Sequence, residues 1–115
     1  MVDPKNPYAP FRLIGDETYD AIVLTDTEME GRINVFEERS DEGWAGNGYD
    51  WTSVARVLIA ESFPQYESKL MYDPEAGMFF VRGPREILKE IADELKKVYL
   101  DETRLRDLLS RAELD

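Results

Sequence analysis

The sequence predicts an α+β fold: a mainly antiparallel sheet of about five strands, in the order β-β-β-α-β-β-α-α, with helices packed on it. Three observations carry this. Short apolar runs separated by turn residues occupy the first third of the chain. A proline-to-glycine hairpin signal lies at Asp73-Pro74-Glu75-Ala76-Gly77. Apolar residues at helical spacing fill most of the rest. The 115 residues suit a single domain spanning 1–115. A chain of this size buries roughly two-thirds of its unfolded surface, enough for one core.

Phe11 to Ile14 follows Pro10 and reads as a first strand, with a turn at Gly15-Asp16. Tyr19 to Thr25 contains Ala21-Ile22-Val23-Leu24, apolar at both parities, as expected of a central strand covered on both faces. Ile33 to Phe36 reads as a third strand after a polar turn at Gly31. Glu37 to Gly48 reads as a structured loop, because Trp44 sits among its glycines. Asp50 is placed to cap a helix that carries Trp51, Val54, Ala55 and Leu58 on one face, and Pro64 stops it. Lys69 to Tyr72 and Met78 to Arg82 form a hairpin around the proline-glycine turn. Pro84 opens a helix carrying Ile87, Leu88, Ile91, Leu95 and Val98 to about Tyr99, and Leu105, Leu108 and Leu109 mark a last short helix. The expected core brings Trp51, Val54 and Leu58 onto the sheet with Ile22, Leu24 and Phe80.

Cysteine and histidine are both absent. Disulfides, thiolate chemistry and a Ser-His-Asp arrangement are therefore excluded, and the commonest metal ligand is missing. Met1 to Pro10 is polar with three prolines, unlike a secretory leader, and no apolar run approaches the roughly 20 residues of a membrane span, so a cytoplasmic location is the expectation. The 14 Lys and Arg face 25 Asp and Glu, a net charge of −11. That balance argues against nucleic acid or an anionic membrane as a direct ligand, and suits a basic partner. The charge is concentrated: residues 16–42 hold ten acids against Arg32 and Arg39, a net of −8.

Three motifs have a chemical reading. Asp26, Glu28, Glu30, Gly31 and Glu37 fall on the spacing of a calcium-binding EF-hand loop. Glutamates at the third and fifth positions are too long for that loop, and the segment before it reads as strand. A solvated hairpin turn is the better account. Gly46-Asn47-Gly48-Tyr49-Asp50 leads into a helix, but no lysine follows and no strand closely precedes, so it is neither a P-loop nor a dinucleotide fingerprint. Adjacent acids such as Glu37-Glu38 and Asp41-Glu42 have the chemistry of a carboxylate-only glycoside hydrolase. In so acidic a chain, a solvated face explains them better. No pattern calls for a cofactor or a metal.

The order Phe36-Glu37-Glu38-Arg39-Ser40-Asp41-Glu42-Gly43-Trp44-Ala45-Gly46-Asn47-Gly48-Tyr49-Asp50-Trp51 resembles that of the immunity protein 51 family of bacterial polymorphic toxin systems. Tyr8 to Leu13, Asp73 to Phe79 and the ending from Leu108 to Asp115 extend the likeness over nearly the whole chain. The resemblance implies a protein made beside a toxin, binding it tightly so that the producing cell or its siblings survive. It carries over no catalytic residue and names no particular toxin.

The expected function is toxin neutralisation by binding a cognate, basic toxin of the nuclease type. The alternatives from other classes are a small carboxylate enzyme and a calcium module. Glu37, Glu38, Asp41, Glu42, Trp44 and Asn47 are the candidate partner-binding residues, on a loop that can present acids and an aromatic together. Tyr49, Asp50 and Trp51 read as a structural motif anchoring that loop on the core. The whole block serves either the interface or the fold.

Overall fold

The computed structural model describes residues 6–15 and 20–114. Strands β1 (Arg12–Gly15) and β2 (Asp20–Thr25) pair antiparallel, Arg12 opposite Val23 and Gly15 opposite Asp20. Gly15, expected in a turn, ends β1, while Asp16 and the strand start at Tyr19 fall outside the described residues. β2 runs straight into a short helix, α1 (Asp26–Glu30). The Glu28 carboxylate accepts the backbone N–H of Thr25 at 3.3 Å, as in a capping box, and this closes the helix start. The expected hairpin turn here is thus a turn of helix, and so is half of the would-be calcium loop.

The third expected strand is also a helix, α2 (Ile33–Glu37). A four-residue apolar run suits a strand or a buried helical turn equally. Contacts with a distant helix, α4 (Arg85–Leu100), settle it. The Tyr99 hydroxyl donates to the Glu28 carbonyl at 2.6 Å, and Arg32 Nε donates to the Tyr99 carbonyl at 2.6 Å. The Arg32 guanidinium also lies 4.7 Å from the Tyr99 ring centroid. Clamped in this way, the segment turns Val35 and Phe36 into the core.

A 3₁₀ turn (Ser40–Glu42) and an extended stretch lead to α3 (Gly48–Ser62). α3 ends at Ser62 ahead of Pro64, as expected, and Pro64–Lys69 continues as 3₁₀ helix. The hairpin strands are β3 (Met71–Tyr72) and β4 (Met78–Gly83); Lys69 belongs to the preceding turn. Pro84 lies just before α4 in extended conformation, rather than inside its first turn. Asp101 caps α5 (Glu102–Arg111) by accepting the amides of Thr103 and Arg104.

The fold is α+β, and among the described residues the sheet has four strands, all antiparallel, in the order β1-β2-β4-β3. Ile22 and Leu24 lie opposite Val81 and Phe79. These four are fully buried in one cluster with Trp51, Val54 and Leu58 of α3, Leu88, Ile91 and Leu95 of α4, and Leu105 of α5. Phe79 therefore fills the position expected of Phe80. Side chains alternate between faces along a strand, so a shift of one residue exchanges core for far face. Phe80 lies opposite Val23 on the other face and is only half-buried. Ala21 and Val23 are buried outside that cluster, so β2 is buried at both parities, as its composition suggests. Among the described residues no helix is long and apolar enough to cross a membrane.

Candidate functional site: an acidic face around a buried loop motif

The stretch from Phe36 to Trp51 divides into residues that hold the loop and residues that leave it for solvent. Trp51, fully buried, is the inner anchor. Its ring centroid lies 5.6 Å from Phe36, 5.8 Å from Phe11 in an edge-on arrangement, and 5.9 Å from Tyr99 in a stack. Asn47, a candidate partner-binding residue, caps α3: its side-chain oxygen accepts the Asp50 amide at 3.0 Å. Asp50, expected as the cap, sits one turn further in. Its Oδ2 reaches back to the amides of Ala45 at 2.7 Å and Gly46 at 2.8 Å. Those amides have no helical partner, and the buried carboxylate satisfies both. Gly43 and Gly46, with φ of 106° and 81°, take the left-handed conformations that fold the loop over this carboxylate. Trp44, the expected exposed aromatic, is buried.

The acids of this region fall into two groups. Glu38 receives a fork from Arg106 of α5, with Nε to Oε1 at 2.9 Å and Nη2 to Oε2 at 2.8 Å. Those hydrogen bonds hold its carboxyl below the ordinary carboxylate range, against the opposing effect of burial. Glu42 pairs with Arg39 at 2.9 Å, and Glu28 lies 3.8 Å from Arg12. Asp26, Glu30, Glu37 and Asp41 are exposed, and none has a cationic partner among the described residues.

Two shallow depressions open around this loop, the first of them beside Asp26 and Glu30. One, of about 250 Å³, is lined by Asp26, Met29, Glu30, Ile33, Gly46 and Asn47. The other, of about 340 Å³, is lined by Gly43, Asn47, Tyr49, Asp50 and Leu114. Asn47 belongs to both, so they adjoin. No three acids are gathered as a metal site among the described residues. Oδ2 of Asp50, the one buried carboxylate among them, is committed to its own loop.

The family model of immunity protein 51 matches residues 11–114, nearly the whole chain. The chain belongs to the immunity protein 51 family. No curated protein and no solved structure matches it. In the matched region, the loop-closing set of Asn47, Asp50 and Trp51 and the outward acids interleave within a few residues of one another. Tyr49, read from the sequence as an anchor of the loop on the core, has its side chain exposed, and so have Ile33 and Leu114. Ile33 reads as a strand residue, and Leu114 offers only its place in the matched ending as a signal.

Proposed function

We propose that this chain is an immunity protein that neutralises a basic toxin by binding it, without chemistry of its own, in the cytoplasm of the producing cell. The contact surface in this reading is the face carrying Asp26, Glu30, Glu37 and Asp41. Family membership supports the role. The observation that carries the choice of surface is the absence of cationic partners for these four acids among the described residues. Carboxylates left unpaired project a field that steers a cationic partner. They can stand in for the phosphates that a nuclease-type toxin is built to grip. The same field disfavours nucleic acid and anionic membranes as ligands. Glu38 and Glu42 contribute less, since arginines already meet them.

The test replaces Asp26, Glu30, Glu37 and Asp41 with their amides and follows association with the toxin domain encoded beside this chain's gene. Association should slow by roughly tenfold or more and lose most of its salt dependence. The double replacement Glu38→Gln with Glu42→Gln should change it far less. Unchanged association in the fourfold variant would remove this face as the docking surface.

A further inference from the structure

The Tyr49 ring stands out from its surroundings. Gly48, Asp50, Trp51 and Thr52 on either side of it are buried, while Tyr49 is 42% exposed. Among the described residues its hydroxyl makes no hydrogen bond and its ring meets no other aromatic ring. Its structural contribution is its backbone, whose carbonyl accepts the Ser53 hydroxyl at 3.3 Å. Across the second depression lies Leu114, 49% exposed. It rests on Gly43 so closely that a Cβ there would come within 2.9 Å of Leu114 Cδ1. Ile33, 37% exposed, opens into the adjoining depression. Three of the six exposed large apolar side chains among the described residues therefore line this pair of depressions, a groove that meets at Asn47.

The rim of the groove is anionic. Asp26 and Glu30 line its first half, and the turn bearing Asp41 runs directly into Gly43. None of these three acids has a cation opposite it among the described residues. A groove that exposes Tyr49, Leu114 and Ile33 beside such acids complements a protein surface that presents an apolar side chain flanked by lysines or arginines. A purely acidic patch would speed encounter without holding the partner. Tyrosine is enriched at positions that do hold, because it covers much area at low entropic cost and keeps a polar end.

We infer that the groove between Tyr49 and Leu114 is the anchor of the interface: it seats an apolar side chain of the basic toxin while the surrounding acids meet the cations beside it. This deepens the proposed function and rests on it. The acids set how fast the partner arrives, and Tyr49 and Leu114 set how long it stays.

The experiment measures association and dissociation of the inactivated toxin domain encoded beside the gene, at low and high salt. It uses the wild type, Tyr49→Ala, Leu114→Ala, the fourfold amide variant, and Met71→Ala as an exposed apolar control on the sheet. Tyr49→Ala should speed dissociation by about 30-fold, the size of a hot-spot loss. Leu114→Ala should act in the same sense but less, and both should leave association nearly unchanged. The amide variant should do the reverse, and Met71→Ala should do neither. Thermal melts that match wild type establish that Tyr49→Ala is folded; if its melt drops, Tyr49→Ser and Leu114→Asp give the same reading from either side of the groove. Dissociation within about twofold of wild type for both groove variants, with the amide variant still slow to associate, overturns the anchor and leaves the acidic face standing. A wild-type protein that does not bind the toxin domain overturns the proposed function and the anchor with it. Loss of binding in Met71→Ala alone moves the interface to the sheet and overturns both.

Discussion

The C-terminal helices and the segment from Asp26 to Glu42 are both rich in acids and dispose of them in opposite ways. Along α4 and α5 all the acids but Glu90, which accepts the Tyr66 hydroxyl, meet cations, mostly one helical turn away. Glu86 faces Lys89 at 3.7 Å, Glu94 faces Lys97 at 3.2 Å and Arg104 at 2.9 Å, Glu102 faces Arg106 at 3.2 Å, and Asp107 faces Arg111 at 2.8 Å. In the earlier segment, Asp26, Glu30, Glu37 and Asp41 have no such partners among the described residues. Exposed pairs add little to stability, but each cancels a charge that would otherwise reach into solvent. An acidic composition becomes an acidic surface only where cancellation fails, and around this loop it fails at Asp26, Glu30, Glu37 and Asp41.

The largest test of this division acts where the two regions meet. Trp51 touches Phe36 of α2 and stacks on Tyr99 of α4. Trp51→Ala should cost about 3–5 kcal/mol in chemical denaturation, as a large-to-small change at a fully buried site. An unaltered midpoint would mean that the acidic segment is not held by the common core. Next in size is Asp50→Ala, which strips the amides of Ala45 and Gly46 of their acceptor and should cost about 2–4 kcal/mol. Amide exchange at Ala45 and Gly46 should quicken, and Asp50→Asn should restore part of the loss. Equal behaviour of the two variants would show that the carboxylate does not close the loop.

Acid should then separate paired carboxylates from the rest. Hydrogen bonds from Arg111 hold Glu61 and Asp107 below the ordinary carboxylate range, and those from Arg106 do the same for Glu38. At Glu94 burial pushes upward, and the bonds from Arg104 and Lys97 together outweigh it. A carboxyl whose folded pKa lies below its unfolded one stabilises fully above the unfolded value. That contribution fades as pH falls through the folded value. Denaturant midpoints should therefore hold steady from neutral pH to the top of the ordinary carboxylate range and decline below it. Arg106→Gln together with Arg111→Gln should shrink that decline. The smallest effect is expected from Arg106→Gln alone at neutral pH: the melting midpoint should barely move, while Glu38 joins the unpaired set. Association with a cationic partner should then quicken by a factor on the order of two. Slower association would place the Arg106 side chain in the interface itself.

Local spacing carried much of this protein in plain view. Helices α3, α4 and α5 show as apolar residues three and four apart, because a helix can bury only one stripe of its surface. The β3–β4 hairpin shows in its proline and glycine, because few residues suit a tight turn. The order from Phe36 to Trp51 was enough to point to the family. Other features depend on residues far apart in the chain. Ile33 to Phe36 became helix because Tyr99 and Arg32 clamp the region to α4, a contact about 70 residues distant in sequence. Phe79 rather than Phe80 entered the core because strand register, invisible within the strand, chooses the face. Trp44 of the loop went in and Tyr49 in the first turn of α3 stayed out, although both are aromatic residues of one stretch, since Asp50 and the two left-handed glycines set where the chain turns. Which acids are free was likewise decided at a distance: Arg106 meets Glu38 across 68 residues, and no cation among the described residues reaches Glu37 beside it. Composition determines how much charge a chain carries. Only tertiary contacts determine which charges are cancelled, because pairing requires two side chains within a few ångströms in space, wherever they stand in sequence.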